Sequence, residues 1–315
     1  MILPPLLIAG ANRSRSKFVQ FISARVVDAG GAVSNTATPT DFSPQAPRLI
    51  ILIHGYNVNR PNGEASFNAF GQLLQKHNVP ELSVLGQVIG FLWPGDEDIK
   101  FIAGLFYPAK MQAARDSAAR LAEFLVAMRG PNGAPMQILV VAHSLGNRVS
   151  LEMINDLFSR PNRTWGRMEG FVLMAAAVIV GDVEQGRLSP AAKSVRTRTL
   201  FSEADKVLHW AFPPGETAAL EGFFPQAVGR FGNPSSMWTD RFDLQPYDHG
   251  NYFPGLMSAG KLDDRSAQYV AQFLGASVAT RPPANQILVN ALPRPNEIGA
   301  RPIGPEVEGR SQIIH

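Results

Sequence analysis

The sequence predicts an α/β protein, with a mostly parallel central sheet and helices on both faces. Three observations carry that expectation. Short apolar runs such as 49–53 (Leu-Ile-Ile-Leu-Ile) and 137–141 (Gln-Ile-Leu-Val-Val) are what strands buried on both faces look like. Between such runs lie segments with apolar residues at three- and four-residue steps, the repeat of an amphipathic helix. The two kinds of segment alternate along a chain of 315 residues. That length suffices for one large domain, and the alternation brings strands side by side in parallel.

The elements follow in order. Residues 1–48 form an N-terminal segment, in which 17–27 supplies one or two strands and 30–47 is a loop rich in Gly, Ser, Thr and Pro. The regular domain spans 49–275. It opens with the strand at 49–53, a helix at 66–77 and a second strand at 87–93, stopped by Trp93-Pro94-Gly95. In 110–129, Met111, Ala114, Ala118, Leu121, Leu125 and Met128 make one apolar stripe, and Gly130-Pro131 ends the helix. A third strand at 137–141 leads into a helix at 145–158. Strands at 170–174 and 195–201 and a last helix at 263–274 complete the alternation. Two stretches break it. Residues 211–246, with Pro213-Pro214, Phe223-Phe224, Phe231, Met237 and Trp238, are expected as a lid or insertion, and 276–315 as a Pro/Gly-rich arm or tail.

Composition excludes several functions. The chain has no cysteine, which removes disulfides, a thiol nucleophile and any Cys-ligated metal. Its 29 basic and 26 acidic residues leave a net charge of +3, and no dense Lys/Arg run is present, so no nucleic-acid partner is expected. The apolar start, Met1 to Ala11, has no positive region before it and is interrupted by Pro4-Pro5, unlike a signal peptide. No run approaches the ~20 apolar residues that span a bilayer. A cytoplasmic location is the default expectation, with leaderless secretion as its alternative.

The chemistry concentrates at Val141-Ala142-His143-Ser144-Leu145-Gly146, where a buried strand turns directly into a helix. A serine at such a turn adopts a strained backbone, so residues two before and two after must be small. Ala142 and Gly146 are. The hydroxyl then stands at the carboxyl end of the sheet, above a helix N-terminus that favours negative charge. Ser144 is therefore the candidate nucleophile.

With His54-Gly55-Tyr56-Asn57 after an earlier strand and Phe91-Leu-Trp-Pro94 between, Ala142-His-Ser-Leu-Gly146 resembles the α/β-hydrolase superfamily over about 49–275. The resemblance is nearest to its bacterial esterase/lipase-like proteins. Ala142 departs from the G-x-S-x-G pattern. The resemblance implies the α/β-hydrolase fold and an oxyanion hole built from the backbone N–H groups of Leu145 and Tyr56. His54 is expected to hold its loop by hydrogen bonds rather than to take part in the reaction.

Ser144 needs a base, and the chain offers six histidines. His143 adjoins the nucleophile and should point away from it; His77 closes a helix, His209 lies too near the acid candidate, and His315 is terminal. His249, in Tyr247-Asp-His-Gly-Asn-Tyr252, satisfies the fold's order of nucleophile, acid, histidine. Asp205, in a turn after the strand at 195–201 that resembles the family's acid turn, is the candidate acid. Asp182 is its runner-up, and Glu203, Asp243 and Asp248 are expected to be solvated. The implied activity is a serine hydrolase cleaving carboxylic esters through an acyl-enzyme, needing no metal or organic cofactor. Thioesterase, peptidase or acyltransferase chemistry, or a non-catalytic hydrolase-like binding protein, are the alternatives. Phe106, Tyr107, Phe223 and Phe224 are expected to contact an apolar acyl group, so the partner is a small-molecule ester or lipid, with contact to a membrane surface in the second case.

Overall fold

In a computed structural model, the described residues are 7–8, 19–24, 26–27, 33–34, 44–77, 86–95, 103–160, 166–232, 237–253 and 264–279. Ten strands lie among them: β1 Leu7–Ile8, β2 Val19–Ser23, β3 Val26–Val27, β4 Val33–Ser34, β5 Arg48–Ile53, β6 Gln87–Leu92, β7 Met136–His143, β8 Gly166–Met174, β9 Thr197–Phe201 and β10 Asp240–Asp243. Eight of them form one sheet in the order β1-β2-β6-β5-β7-β8-β9-β10. Only β1 is antiparallel to its neighbour; every other pairing in this sheet is parallel. The strands β3 and β4 pair separately. The expected mostly parallel sheet is what forms.

Helices α1 Arg60–Lys76, α2 Ala103–Ala127, α3 Gly146–Ser159 and α8 Arg265–Ala279 cover it, with short helices α4 Val180–Glu184, α5 Ser189–Ser194, α6 Phe212–Ala218 and α7 Val228–Phe231. The period of two in a strand divides the core. Leu49, Ile51 and Ile53 face one way with Ile138, Val140 and Ala142, and pack with Met111, Ala114, Leu121 and Leu125 of α2 and Val149 and Met153 of α3. Ile50 and Leu52 face the other way with Leu139 and Val141, against Phe67, Phe70 and Leu74 of α1 and Val270, Phe273 and Leu274 of α8. That two-sided burial is why the central strands read as continuous apolar runs.

Three expectations change. The first helix begins at Arg60 rather than at 66, because Asn59 accepts a hydrogen bond from the Asn62 N–H and Pro61 pre-sets its first turn. The helix expected at 110–129 begins at Ala103, seven residues earlier, and ends at Ala127. The stretch 211–246 contributes β10, which pairs in parallel with β9, so its last part belongs to the sheet rather than to a cover. Of the tail at 276–315, residues 276–279 end α8 and the rest lies outside the described residues.

The topology places a site before any side chain is considered. From β5 the chain moves to β6 on one side and then to β7 on the other. Connections therefore diverge at the carboxyl ends of β5 and β7, where an open parallel sheet leaves a crevice for ligands.

Candidate active site

The crevice is occupied by the turn after β7. Ser144 has φ +53°, the left-handed region that costs a non-glycine residue about 1–2 kcal/mol. Hydrogen bonds hold it there. Its N–H donates to the Met174 carbonyl (3.0 Å), and its own carbonyl accepts from the N–H groups of Asn147 (3.1 Å) and Ala177 (3.2 Å). The buried Asn147 side chain adds Nδ2 bonds to the Ser144 carbonyl (2.9 Å) and to that of Met174 (3.0 Å). Gly146 is required by close approach: a Cβ there would lie 2.4 Å from the His54 carbonyl oxygen. A Cβ on Gly55 would stand 2.6 Å from the Ser144 Cβ, so the loop after β5 lies directly against the nucleophile turn.

The loops after β9 and β10 bring the other groups. Ser144 Oγ–H donates to His249 Nε2 (2.7 Å), and His249 Nδ1–H donates to Asp205 Oδ2 (2.8 Å). The acidic partner fixes the tautomer: with Nδ1 protonated toward a carboxylate, Nε2 is left as the acceptor. Asp205 is fully buried, and its second oxygen accepts from the Leu208 N–H (2.9 Å). Asp182, the rival acid, lies in α4 with an oxygen 3.4 Å from Arg148.

Several supports were not legible in the sequence. Asp248, expected to be solvated, accepts from the His249 N–H (2.9 Å) and the Lys206 N–H (3.0 Å), which ties the histidine loop to the acid loop. It also forms a capping box with Asn251 around the turn His249–Asn251. Asp243 is exposed, as expected, and accepts from the Gln245 N–H (2.9 Å). Ser202 Oγ–H donates to the Tyr247 carbonyl (2.7 Å). Asp248 and Ser202 tie together loops that are distant in the chain, a pairing that no local pattern announces.

His54 holds its loop. The Trp93 N–H donates to its Nε2 (3.2 Å), which leaves the ring proton on Nδ1 to donate to the Gly55 carbonyl (2.8 Å). The Trp93 indole N–H bonds the His54 carbonyl (2.8 Å), and the two rings stack at 5.7 Å. Tyr56 follows Gly55 in this turn and is partly buried against the core. Leu145 is the N-cap residue of α3, where a backbone N–H has no intrahelical acceptor.

Beside the turn, on α3, lies a buried charge network. The fully buried Arg148 bonds Glu152 (2.9 Å) and Glu221 (2.8 Å); Arg115 also pairs with Glu221, and Arg187 with Glu152. Burial alone would raise Glu152 and Glu221, but the arginine hydrogen bonds and charges outweigh it and hold both below the ordinary carboxylate value. Burial raises Asp182. Glu221 fixes the base of a loop whose Leu220 (93% exposed) and Phe223 (86%) project into solvent. Phe224 is also exposed and meets Phe223 edge-to-face at 5.1 Å. Phe106 and Tyr107 lie in α2, and their side chains are outside the described residues.

Among the described residues, no cluster of His, Asp or Glu could hold a metal ion, and no helix is long and apolar enough to cross a membrane. A parallel sheet covered on both faces, with a serine on a left-handed strand-to-helix turn at its switch point, defines the class: an α/β-hydrolase. The chain belongs to the family described as alpha/beta hydrolase of unknown function (DUF900), whose sequence model matches residues 35–212. No curated protein matches the sequence significantly. Similar solved structures include acyl-protein thioesterase 2 of Zea mays, 16% identical, covering 76% of this chain and 97% of that one, with a TM-score of 0.39. An esterase of Pyrobaculum calidifontis is 13% identical, with 81% and 82% covered and a TM-score of 0.39. A dienelactone hydrolase-like promiscuous phosphotriesterase from metagenomic libraries is 13% identical, with 75% and 88% covered and a TM-score of 0.40.

Proposed function

We propose that this protein is a serine hydrolase that cleaves carboxylic esters through an acyl-enzyme. The observation that carries the reading is the unbroken relay from Ser144 Oγ through the His249 ring to Asp205, at 2.7 and 2.8 Å. In this reading His249 Nε2 takes the Ser144 proton as Oγ attacks the ester carbonyl. Asp205 stabilises the resulting imidazolium and holds its orientation without accepting the proton. The N–H groups of Leu145 and Tyr56 receive the developing oxyanion, each worth about 3 kcal/mol in a site shielded from water. His249 then protonates the departing alcohol. A water molecule, deprotonated by the same nitrogen, attacks the acyl group and releases the acid and free Ser144.

The side chains that project near 207–224, Trp210, Leu220, Phe223 and Phe224, favour an ester with an apolar acyl group. The test is a series of nitrophenyl esters of increasing acyl length, run on wild type and Ser144→Ala. The reading expects turnover that rises from acetyl toward longer chains and is lost in Ser144→Ala. Turnover that survives Ser144→Ala refutes the nucleophile, and strict preference for acetyl refutes the apolar acyl group.

A further inference from the structure

We propose that His143 is a positioning residue of this reaction, an uncharged clamp that joins the nucleophile turn to the loop carrying His249. The proposal rests on the serine-hydrolase reading and goes beyond it.

A histidine next to the nucleophile in sequence is expected to point away from Ser144 Oγ, and in isolation it reads as packing. Here the ring is 3% exposed and reaches the other site loops. Its Nε2–H donates to the main-chain carbonyl of His249 (2.9 Å), the residue whose ring must meet Ser144. Because Nε2 donates, a neutral ring carries its lone pair on Nδ1. That atom has no hydrogen-bond partner, and the Gly55 backbone lies against it: a Cβ on Gly55 would be 3.1 Å away. The ring centroid is 5.0 Å from that of His249, 6.0 Å from Tyr252 and 5.7 Å from Phe253. One side chain at the end of β7 thus reaches both the loop after β5 and the loop after β10.

The clamp also has to be electrically silent. During turnover His249 becomes an imidazolium, and a charged neighbour at 5.0 Å would oppose that. Burial first, then the nearby His249, push the His143 pKa down to about 3, so the ring stays neutral at neutral pH. Removing the Nε2 donor leaves the His249 carbonyl without this bond and frees the backbone that aims its ring. A misplacement on the order of 1 Å in such a site costs about 100-fold in rate.

Three variants separate clamping from packing. Gln places an amide N–H near the Nε2 position but loses the ring; Phe keeps the ring and loses the donor; Asn has a donor too short to reach. The measurement is kcat and KM for a nitrophenyl ester, normalised to the active fraction titrated with a phosphonate. The clamp predicts that His143→Phe and His143→Asn lose about 10- to 100-fold in kcat with KM within about threefold. His143→Gln should retain at least about a fifth of the kcat, since it restores the bond. If His143→Phe keeps a third of the activity, or Gln is damaged as badly as Phe, the ring is packing and the clamp is overturned. Should one variant fail to fold, the other two still decide the outcome. A wild type that a phosphonate does not label at Ser144 would overturn the hydrolase reading, and the clamp's purpose with it. A labelled wild type with an equally fast His143→Phe overturns the clamp alone.

Discussion

Asp205→Asn alters the chemistry of the acid while keeping almost all of its volume. In wild type one carboxylate oxygen accepts from His249 Nδ1 (2.8 Å) and the other from the Leu208 N–H (2.9 Å). An amide offers only one acceptor. If its oxygen keeps the Leu208 bond, its NH2 group points at His249 Nδ1, which must then become the acceptor. The ring proton moves to Nε2 and points at Ser144 Oγ, so the base is in the wrong tautomer. The same substitution in the Ser-His-Asp template lowers kcat by about 10⁴, or roughly 5 kcal/mol, and Asp205 is buried deeply enough for that full effect. The assay is steady-state ester hydrolysis with the active fraction known. Asp182→Asn is the matched comparison: Asp182 faces Arg148, so its kcat should stay within about threefold of wild type. An Asp205→Asn enzyme within tenfold of wild type would refute the tautomer argument, and a larger loss in Asp182→Asn would refute the choice of acid.

Other outcomes follow from packing and charge. Arg148→Met strips the central cation from Glu152 and Glu221, and should cost about 3–5 kcal/mol in denaturant unfolding at neutral pH, because it leaves buried carboxylates short of partners. In wild type those two groups have folded-state pKa values below the unfolded 4.5, so their stabilisation is complete above 4.5 and is lost as pH falls through the folded values. Unfolding free energy should therefore decline on acidification below about 4.5, and Arg148→Met should flatten that decline. Gly146→Ala forces a Cβ to 2.4 Å from the His54 carbonyl; an overpacking cost of about 1–3 kcal/mol is expected in the same unfolding experiment, together with loss of activity.

What the sequence made legible and what it hid have physical reasons. The central strands were readable because both faces of β5 and β7 are buried, so nearly every residue had to be apolar. The nucleophile turn was readable because its strain admits only small residues around Ser144. Strand β10 was hidden because Asp-Arg-Phe-Asp, on the sheet edge, carries three charges in four residues and alternates half-buried with exposed positions. The start of α1 was hidden behind Pro61 and Gly63, which read as loop until the Asn59 cap is seen. His143, Asn147 and Asp248 are polar residues whose work depends on partners brought by folding. Adjacency to Ser144 makes His143 read as lining the turn, while its bond to the His249 carbonyl is a tertiary contact with no local signature.

The most direct test of the central claim is the mass of the protein and of its peptides after exposure to a fluorophosphonate. The account predicts one adduct, on Ser144, formed quickly in wild type, absent in Ser144→Ala and slowed by at least about 100-fold in His249→Ala, where the base at 2.7 Å is gone. A folded wild type that acquires no adduct, or one labelled on a residue other than Ser144, would contradict it.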